Sequence, residues 1–445
     1  MSAAAEPRTA NGLPPGPRTP AAIQTALLLG RPVRLMESCR RRFGDTFTLR
    51  VARVGTMVFV SDPASLKRLF GADRENTVAP GRNVVLAPVL GQRSLLVLEG
   101  EEHLRRRKLM LPPFHGERMR AYEDVMRAAA EREVATWPLG RPFRIHSSMQ
   151  SITLEVILRA VFGVEDDERR QELRRKLIGI LGATRSPLAI GMTIDRARHL
   201  PRYRRVAEML ADADRILLDQ IAERRADPQL DSREDILSLL VAARFDDGSG
   251  MSDGELRDQL MTLLMAGHET TATALAWAFD LLFRNPDKLD RLRAEIADGD
   301  HEYLDAVIEE TLRVRPVVPF IGRQLKVPAE LAGYELPVGT VVMPAIYLAH
   351  TRADVYQDPY EFRPERFLDG GPDTYSWVPF GGGTRRCIGG AFAQLEMRVV
   401  LRTVLSLAEL RPASDRAERM VRRNVTLSPR NGTPAVLVSR RKARS

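Results

Sequence analysis

A mainly α fold with small β-sheets is predicted by three observations. Apolar residues recur at helical spacing through most of the chain, strand-like alternation is confined to a few short stretches, and one helical pattern of about 32 residues runs unbroken from a serine cap to an Asn-Pro stop.

After a proline-rich start at 13–20, residues 46–60 alternate β-favouring side chains around Gly55, which predicts a hairpin. Helical periodicity then predicts helices over 117–136, 202–225, 235–243, 253–284, 287–296 and 302–313. A second β-rich patch covers 332–346, and 422–438 alternates again before a basic tail at 440–444, read as solvated. No internal repeat and no linker divides the chain.

The 445 residues leave the domain count open, and 44% hydrophobic with 28% charged content describes a globular protein rather than a collagenous or disordered one. The formal charge is +9, and only six of the 67 basic residues are lysines. With no aromatic-interleaved basic motif and no zinc-finger spacing, nucleic-acid binding is not expected. Two cysteines, Cys39 and Cys387, cannot build a disulfide framework or a four-cysteine metal site, so a reducing, cytoplasmic setting is expected. Residues 1–11 are polar and the apolar run at 26–30 is far shorter than the roughly 20 residues of a spanning helix, so neither a signal peptide nor a membrane anchor is expected.

The long helix is apolar on nearly every side over 260–279, except at His268, Glu269, Thr270, Thr271 and Thr273. Polar groups in such a segment need partners or a task. A zinc motif of the HExxH type is disfavoured, because position 272 is alanine. A threonine at 270 can bond the carbonyl of Ala266, four residues back, and with Gly267 loosen the helix to leave a groove.

The glycine-dense segment from Phe380 to Gly390 contains Cys387. It lacks the Lys-Ser/Thr of a phosphate loop, and a dinucleotide fingerprint would need glycine where Arg386 stands. Its spacing instead resembles the FxxGxRxCxG haem-binding signature of the cytochrome P450 family, with Phe380, Gly383, Arg385, Cys387 and Gly389 at the required positions. The chemistry is coherent: glycines let backbone amides approach the sulfur, and a thiolate axial ligand favours O–O cleavage.

The resemblance extends along nearly the whole chain in the family's order. Glu310-Thr-Leu-Arg313 is similar to the ExxR pair, and Pro364-Glu-Arg366-Phe367 to the segment whose arginine completes a structural triad. His103, Arg107, Arg323 and Arg385 stand where the family supplies cations to haem propionates, although Arg105, Arg106 and Lys108 lie beside the first two. Ala266-Gly-His-Glu269-Thr270-Thr271 resembles the small-Gly-x-acid-Thr motif, so Glu269 and Thr270 are read as the proton relay that splitting dioxygen requires. His350 is read as structural. Met265, Ala266, Thr270, Val317, Val318 and Phe320 are the expected pocket residues, and the 83–98 and 182–192 loops are expected to line it without a diagnostic pattern.

The resemblance implies a cytochrome P450 fold of one domain over 21–445 behind a tail at 1–20, with the long helix crossing the distal haem face and Cys387 on the proximal side. LPPGP near the N-terminus resembles the segment that follows the anchor in membrane-bound members, here without that anchor as in soluble bacterial ones, and Pro112 to Met119 is similar to a segment of bacterial members acting on lipids or terpenoids. It implies a monomeric monooxygenase that binds haem b and dioxygen. Electrons would come from a ferredoxin or flavodoxin with its reductase, steered by Arg105, Arg106, Lys108 and Arg386. The expected substrate is an apolar small molecule, a fatty acid, terpenoid or steroid-like lipid, hydroxylated or epoxidised. A peroxygenase or an isomerase is the alternative.

Overall fold

The computed structural model describes residues 12–52, 54–72, 78–79, 87–116, 118–184, 201–368 and 370–441. Backbone contacts resolve two compact units, the first formed by Met1–Arg82, Ala306–Cys387 and Met420–Ser428, the second by Asn83–Asp305, Ile388–Arg419 and Pro429–Ser445. The expected loop at 182–192 and residues 83–86 fall largely outside the described residues.

The first unit is organised on a five-stranded sheet. The expected hairpin forms as Thr46–Val51 against Gly55–Val60, and Gly55 takes the positive φ of +101° that the bend requires. Gly55–Val60 then pairs in parallel with Val341–Pro344, which pairs with Arg323–Leu325 and that in turn with Val78–Ala79. Because side chains alternate along a strand, Val58 and Val60 join Leu66, Phe70, Leu325 and Val342 on one face, while Phe47, Leu49 and Phe59 join Met36, Cys39 and Met343 on the other. The proline-rich start is drawn onto the sheet edge, where the Thr48 N–H donates to the Pro15 carbonyl at 2.9 Å.

Beside the sheet the first unit carries a fully buried ion pair. Arg313 donates to both Glu310 oxygens at 2.6 and 2.7 Å, and the Arg366 guanidinium stands 3.4 Å from Glu310 Oε1. Arg313 also donates to the carbonyls of His350, Pro359 and Glu361, so one guanidinium gathers the chain between 350 and 361. His350 is buried, and that burial, with Arg313 nearby, holds its imidazole down at about 3, leaving Nε2 able to accept from the Val378 N–H at 2.8 Å.

The second unit is built on the helix Asp253–Arg284. Ser252 and Glu255 form a reciprocal capping box at its start, and Asn285 with Pro286 ends it. The other expected helices form within a residue or two of their predicted bounds, as Arg118–Thr136, Pro201–Ala226, Ile236–Ala242 and Pro286–Asp298, with Glu302–Val314 straddling the two units. Helices at Ile145–Val156 and Gly390–Leu407, not picked out by periodicity, pack against the long helix. A three-stranded sheet of Pro142–Arg144, Pro434–Arg440 and Ala408–Pro412 completes the unit. Arg440, expected in a solvated tail, donates to the carbonyls of Ala135 and Trp137. Among the described residues no helix is long and apolar enough to cross a membrane.

Replacing Arg313 by methionine strands the Glu310 carboxylate in the interior and frees three carbonyls. Thermal or denaturant unfolding is expected to show a loss of about 3–5 kcal/mol, the cost of breaking a buried pair from one side.

Candidate active site

The cysteine loop is shaped by what lies behind it. Gly381 and Gly383 both take φ of +68°, a conformation that other residues reach only with strain. Gly382 is buried against the ring of Phe70, and a methyl group there would come within 2.4 Å of that ring. The turn closes through the Cys387 N–H, which donates to the Phe380 carbonyl at 2.9 Å. Upstream, the Tyr356 hydroxyl donates to the Ser376 carbonyl and the Trp377 indole N–H to the Glu309 carbonyl, while Trp377 meets Phe380 edge-on at 6.2 Å. The loop is thus tied to the Glu310–Arg313 framework at several points, and its thiol is left exposed.

The two cysteines differ in character. Cys39 is buried in the sheet core, where desolvation pushes its thiol up to about 11, so it stays protonated. Only Cys387 offers an accessible sulfur to a metal.

Arg323 is buried in its strand, its guanidinium 5.9 Å from the Phe70 ring that also supports Gly382, so Arg323 and the cysteine loop share one support in the first unit. Arg385 lies on the short 3-10 turn Gly383–Arg385. Val317 is buried with its carbonyl taken by the Leu427 N–H, and Val318 is half-buried. Phe320 is half-buried and packs on one side. It meets Phe59 edge-on at 5.6 Å and lies under the Arg422 guanidinium, because the chain after Pro319 runs back onto the sheet.

In the second unit, His103 and Arg107 lie one turn apart on the helix Gly100–Met110, on the face that also buries Arg106 and Met110. Gly389 caps the helix Gly390–Leu407. The long helix carries Met265, Ala266, Glu269 and Thr270. The helix stays α throughout, and the Thr270 hydroxyl donates to the Ala266 carbonyl at 2.5 Å, as the spacing predicts. Ala266 is solvent-exposed although most of the helix is buried, and Met265, Gly267, Glu269 and Thr270 are partly accessible around it. An interior helix that opens a patch of small residues beside a threonine and a carboxylate has surface to offer a bound molecule. The first unit thus carries an accessible thiol and the basic side chains of Arg323 and Arg385, and the second those of His103 and Arg107, and each set is of a chemical type that suits an iron porphyrin with carboxylate arms.

Residues 14–434 match the family described as Cytochrome P450. The chain belongs to the cytochrome P450 family. A Mycobacterium tuberculosis protein named cytochrome P450 135B1 is 42% identical over 429 residues, covering 95% of this chain and 90% of the relative. Cytochrome P450 137 of the same species is 40% identical over 431 residues, with the same shares covered. Among solved structures, retinoic-acid-bound cyanobacterial CYP120A1 has a TM-score of 0.84 at 26% identity, covering 96% of this chain and 99% of its own. The heme domain of cytochrome P450DA has a TM-score of 0.84 at 22% identity, covering 97% and 98%, a likeness of fold. Membership makes this chain a haem-thiolate monooxygenase that uses haem b, and bacterial P450s generally draw electrons from a ferredoxin with its reductase.

The cationic patch expected at Arg105, Arg106 and Lys108 requires correction. Arg105 pairs with Asp247, Lys108 with Asp246 at 2.9 Å, and buried Arg106 with Glu255 at 2.5 Å. Burial alone would push the Glu255 carboxyl up, but Arg106 and the Ser252 cap outweigh it and hold it down at about 2. These three cations are therefore neutralised within the unit by acids more than 130 residues away in sequence, a pairing that no local pattern reveals. Arg386 remains exposed.

Three polar residues that sequence reasoning did not single out surround the long helix. Gln150 and His146 reach Glu269 from the helix Ile145–Val156. Glu396, on Gly390–Leu407, is fully buried, accepts from Thr271, and has no partner for Oε1 among the described residues. Its place one turn before buried Val400 on an apolar stripe was the one available signal.

Desolvation pushes the Glu396 carboxyl up from 4.5 to about 8. Between those values the folded chain keeps a proton that the unfolded chain releases, so wild type loses stability as pH rises through that window. Glu396→Gln has no such proton. In melts at pH 5 and pH 8 the variant is expected to gain on wild type at the higher pH, by on the order of a few kcal/mol. An equal difference at both values would mean that Glu396 is charged in the fold.

Proposed function

We propose that Cys387 would bind the haem iron as a thiolate, that His103, Arg107, Arg323 and Arg385 would hold its propionates, and that Glu269 with Thr270 delivers protons for monooxygenation of an apolar substrate. The observation that carries this reading is the exposed alanine at 266, one turn from Thr270, in a helix otherwise buried along most of its length.

When bound, the haem supplies one-electron transfer and dioxygen activation under a thiolate ligand. The overall reaction takes substrate, dioxygen, two electrons and two protons to hydroxylated or epoxidised product and water. The chain's own task is to place substrate and protons. The cysteine loop, closed by the Cys387–Phe380 hydrogen bond and backed by Phe70, holds the sulfur in one position. The Thr270 hydroxyl donates a hydrogen bond to the Ala266 carbonyl, which leaves the lone pairs of Oγ1 able to accept from another donor. Glu269 takes up and releases a proton at its carboxylate, supported by the Gln150 amide.

Met265, Ala266, Val317 and Val318 offer the substrate apolar surface, each Å² buried contributing roughly 25 cal/mol, with the Thr270 hydroxyl as the polar handle. A polar ligand would lose hydration there without compensating partners. The similarity to a P450 whose structure holds retinoic acid favours an isoprenoid or fatty acid among apolar candidates. Electrons are supplied by a ferredoxin or flavodoxin, with Arg386 as an exposed cation at the loop.

Cys387→Ser is expected to lose the carbon monoxide spectrum of thiolate-ligated ferrous haem, since a hydroxyl stays protonated and donates less charge. Retention of that spectrum would exclude Cys387 as the ligand. Thr270→Ala is expected to keep the spectrum but divert reduced oxygen to peroxide, and Glu269→Gln to slow turnover by roughly 10²-fold and also to raise the share of peroxide. Titrating the purified holoenzyme with isoprenoid acids, fatty acids, steroids and sugars and following the haem absorption band tests the substrate class. A response confined to the sugars would overturn it.

A further inference from the structure

One oxygen of the Glu269 carboxylate is held from a neighbouring helix. Gln150 Nε2 donates to Glu269 Oε2 at 2.6 Å, and His146 Nε2 stands 3.6 Å from Oε1 and 3.2 Å from the Thr273 hydroxyl. Gln150 and His146 are one turn apart on Ile145–Val156, so both carboxylate oxygens face the same partner helix.

We propose that Gln150 is a positioning residue that fixes the orientation of the Glu269 carboxylate for proton delivery; the inference rests on the assignment of Glu269 and Thr270 made above.

The grip is rigid because the register of the two helices is set independently of it. On one side of Glu269, the Thr153 hydroxyl bonds His268 at both Nδ1 (2.9 Å) and the carbonyl (3.1 Å). On the other, the Thr433 hydroxyl donates to the Ala276 carbonyl at 3.0 Å, while the Thr433 carbonyl accepts from the Ile145 N–H and the Gly432 carbonyl from the His146 N–H. The turn that does this is itself held, since Glu418 accepts from the backbone N–H groups of Asn431 and Thr433 at 3.0 Å each. The Ile145–Val156 helix is thereby pinned at its N-terminus and again two turns on. Gln150 falls between the pins, opposite Glu269.

A partly buried carboxylate needs donors to remain charged, and a charge-assisted hydrogen bond of this length is among the stronger ones available to it. A carboxylate with one oxygen held can exchange a proton through the other without losing its direction. Released from Gln150, the same side chain samples other rotamers, and proton transfer suffers from the loss of alignment.

The test uses the haem-loaded enzyme with its electron donor and measures the ratio of peroxide to product alongside thermal melting. Gln150→Leu removes the donor and keeps most of the volume. Its peroxide-to-product ratio is expected to rise about tenfold, the factor equivalent to one such hydrogen bond, whereas Gln150→Lys, which retains a donor, restores the wild-type ratio. In a Glu269→Leu background Gln150→Leu should have no further effect on the ratio and should no longer lower the melting temperature. Equal damage from the leucine and lysine variants would show that volume matters and not the donor, and would overturn the proposal. So would a wild-type ratio in Gln150→Leu when Glu269→Gln is uncoupled, an outcome that leaves the relay itself standing. If Glu269→Gln is itself fully coupled, the relay assignment fails and the positioning role fails with it, even where the melting data still report contact between 150 and 269.

Discussion

Glu310 and Arg313 are both wholly removed from solvent, and two charges so placed cost several kcal/mol each in lost hydration unless every hydrogen-bonding group finds a partner. Here the condition is met. The five N–H groups of Arg313 go to the two Glu310 oxygens and to three backbone carbonyls, and Glu310 also accepts from the Arg363 N–H at 2.8 Å. A pair satisfied in this way does more than balance charge. Its acceptors lie on a stretch that would otherwise be loop, and each bond specifies where that stretch must run. His350, Tyr356 and Trp377 carry the specification onward to 376–380, and the cysteine turn begins there. The position of an accessible thiol is thus inherited from a buried ion pair more than 70 residues earlier in sequence.

A different logic holds in the second unit. The helix Asp253–Arg284 is long, capped at its start and buried by apolar side chains, which makes it a stiff platform. The proposed function draws on exceptions to that pattern: an exposed alanine, a threonine bonded back to its own helix and a carboxylate bonded sideways to Gln150. The thiol and the acid–hydroxyl pair are carried by different units of the chain. Each is therefore supported by its own network, the first ionic and backbone-directed, the second a helix-to-helix register with few polar pins.

Much of this is legible in the order of the residues alone. The cysteine signature has a spacing that few other loops share, and the serine cap and Asn-Pro stop of the long helix mark its ends to the residue. Other features are hidden there, for identifiable reasons. Arg105, Arg106 and Lys108 resemble a free basic patch because Asp246, Asp247 and Glu255, which neutralise them, lie on a distant segment. The contact between Phe320 and Phe59 is hidden for the same reason, since the two rings belong to segments far apart along the chain. Helices such as Gly100–Met110 escape notice because charged residues dominate them and no apolar stripe announces them.

The amino-acid sequence by itself determined the class of fold, the family chemistry and which cysteine is suited to a metal, since these depend on residue types at short, fixed spacings that local backbone geometry translates directly into shape. Only the tertiary structure decided how those residues are supported. That Gln150 meets Glu269, that Phe70 lies behind both Gly382 and Arg323, and that Glu396 is buried with an unanswered oxygen are all contacts between segments far apart along the chain. Side-chain hydrogen bonds reach about 3 Å and ring contacts about 6 Å, so whether two such groups meet depends on the packing of whole helices and strands, and a one-residue change of register between them would abolish every one of these contacts while leaving each local motif intact.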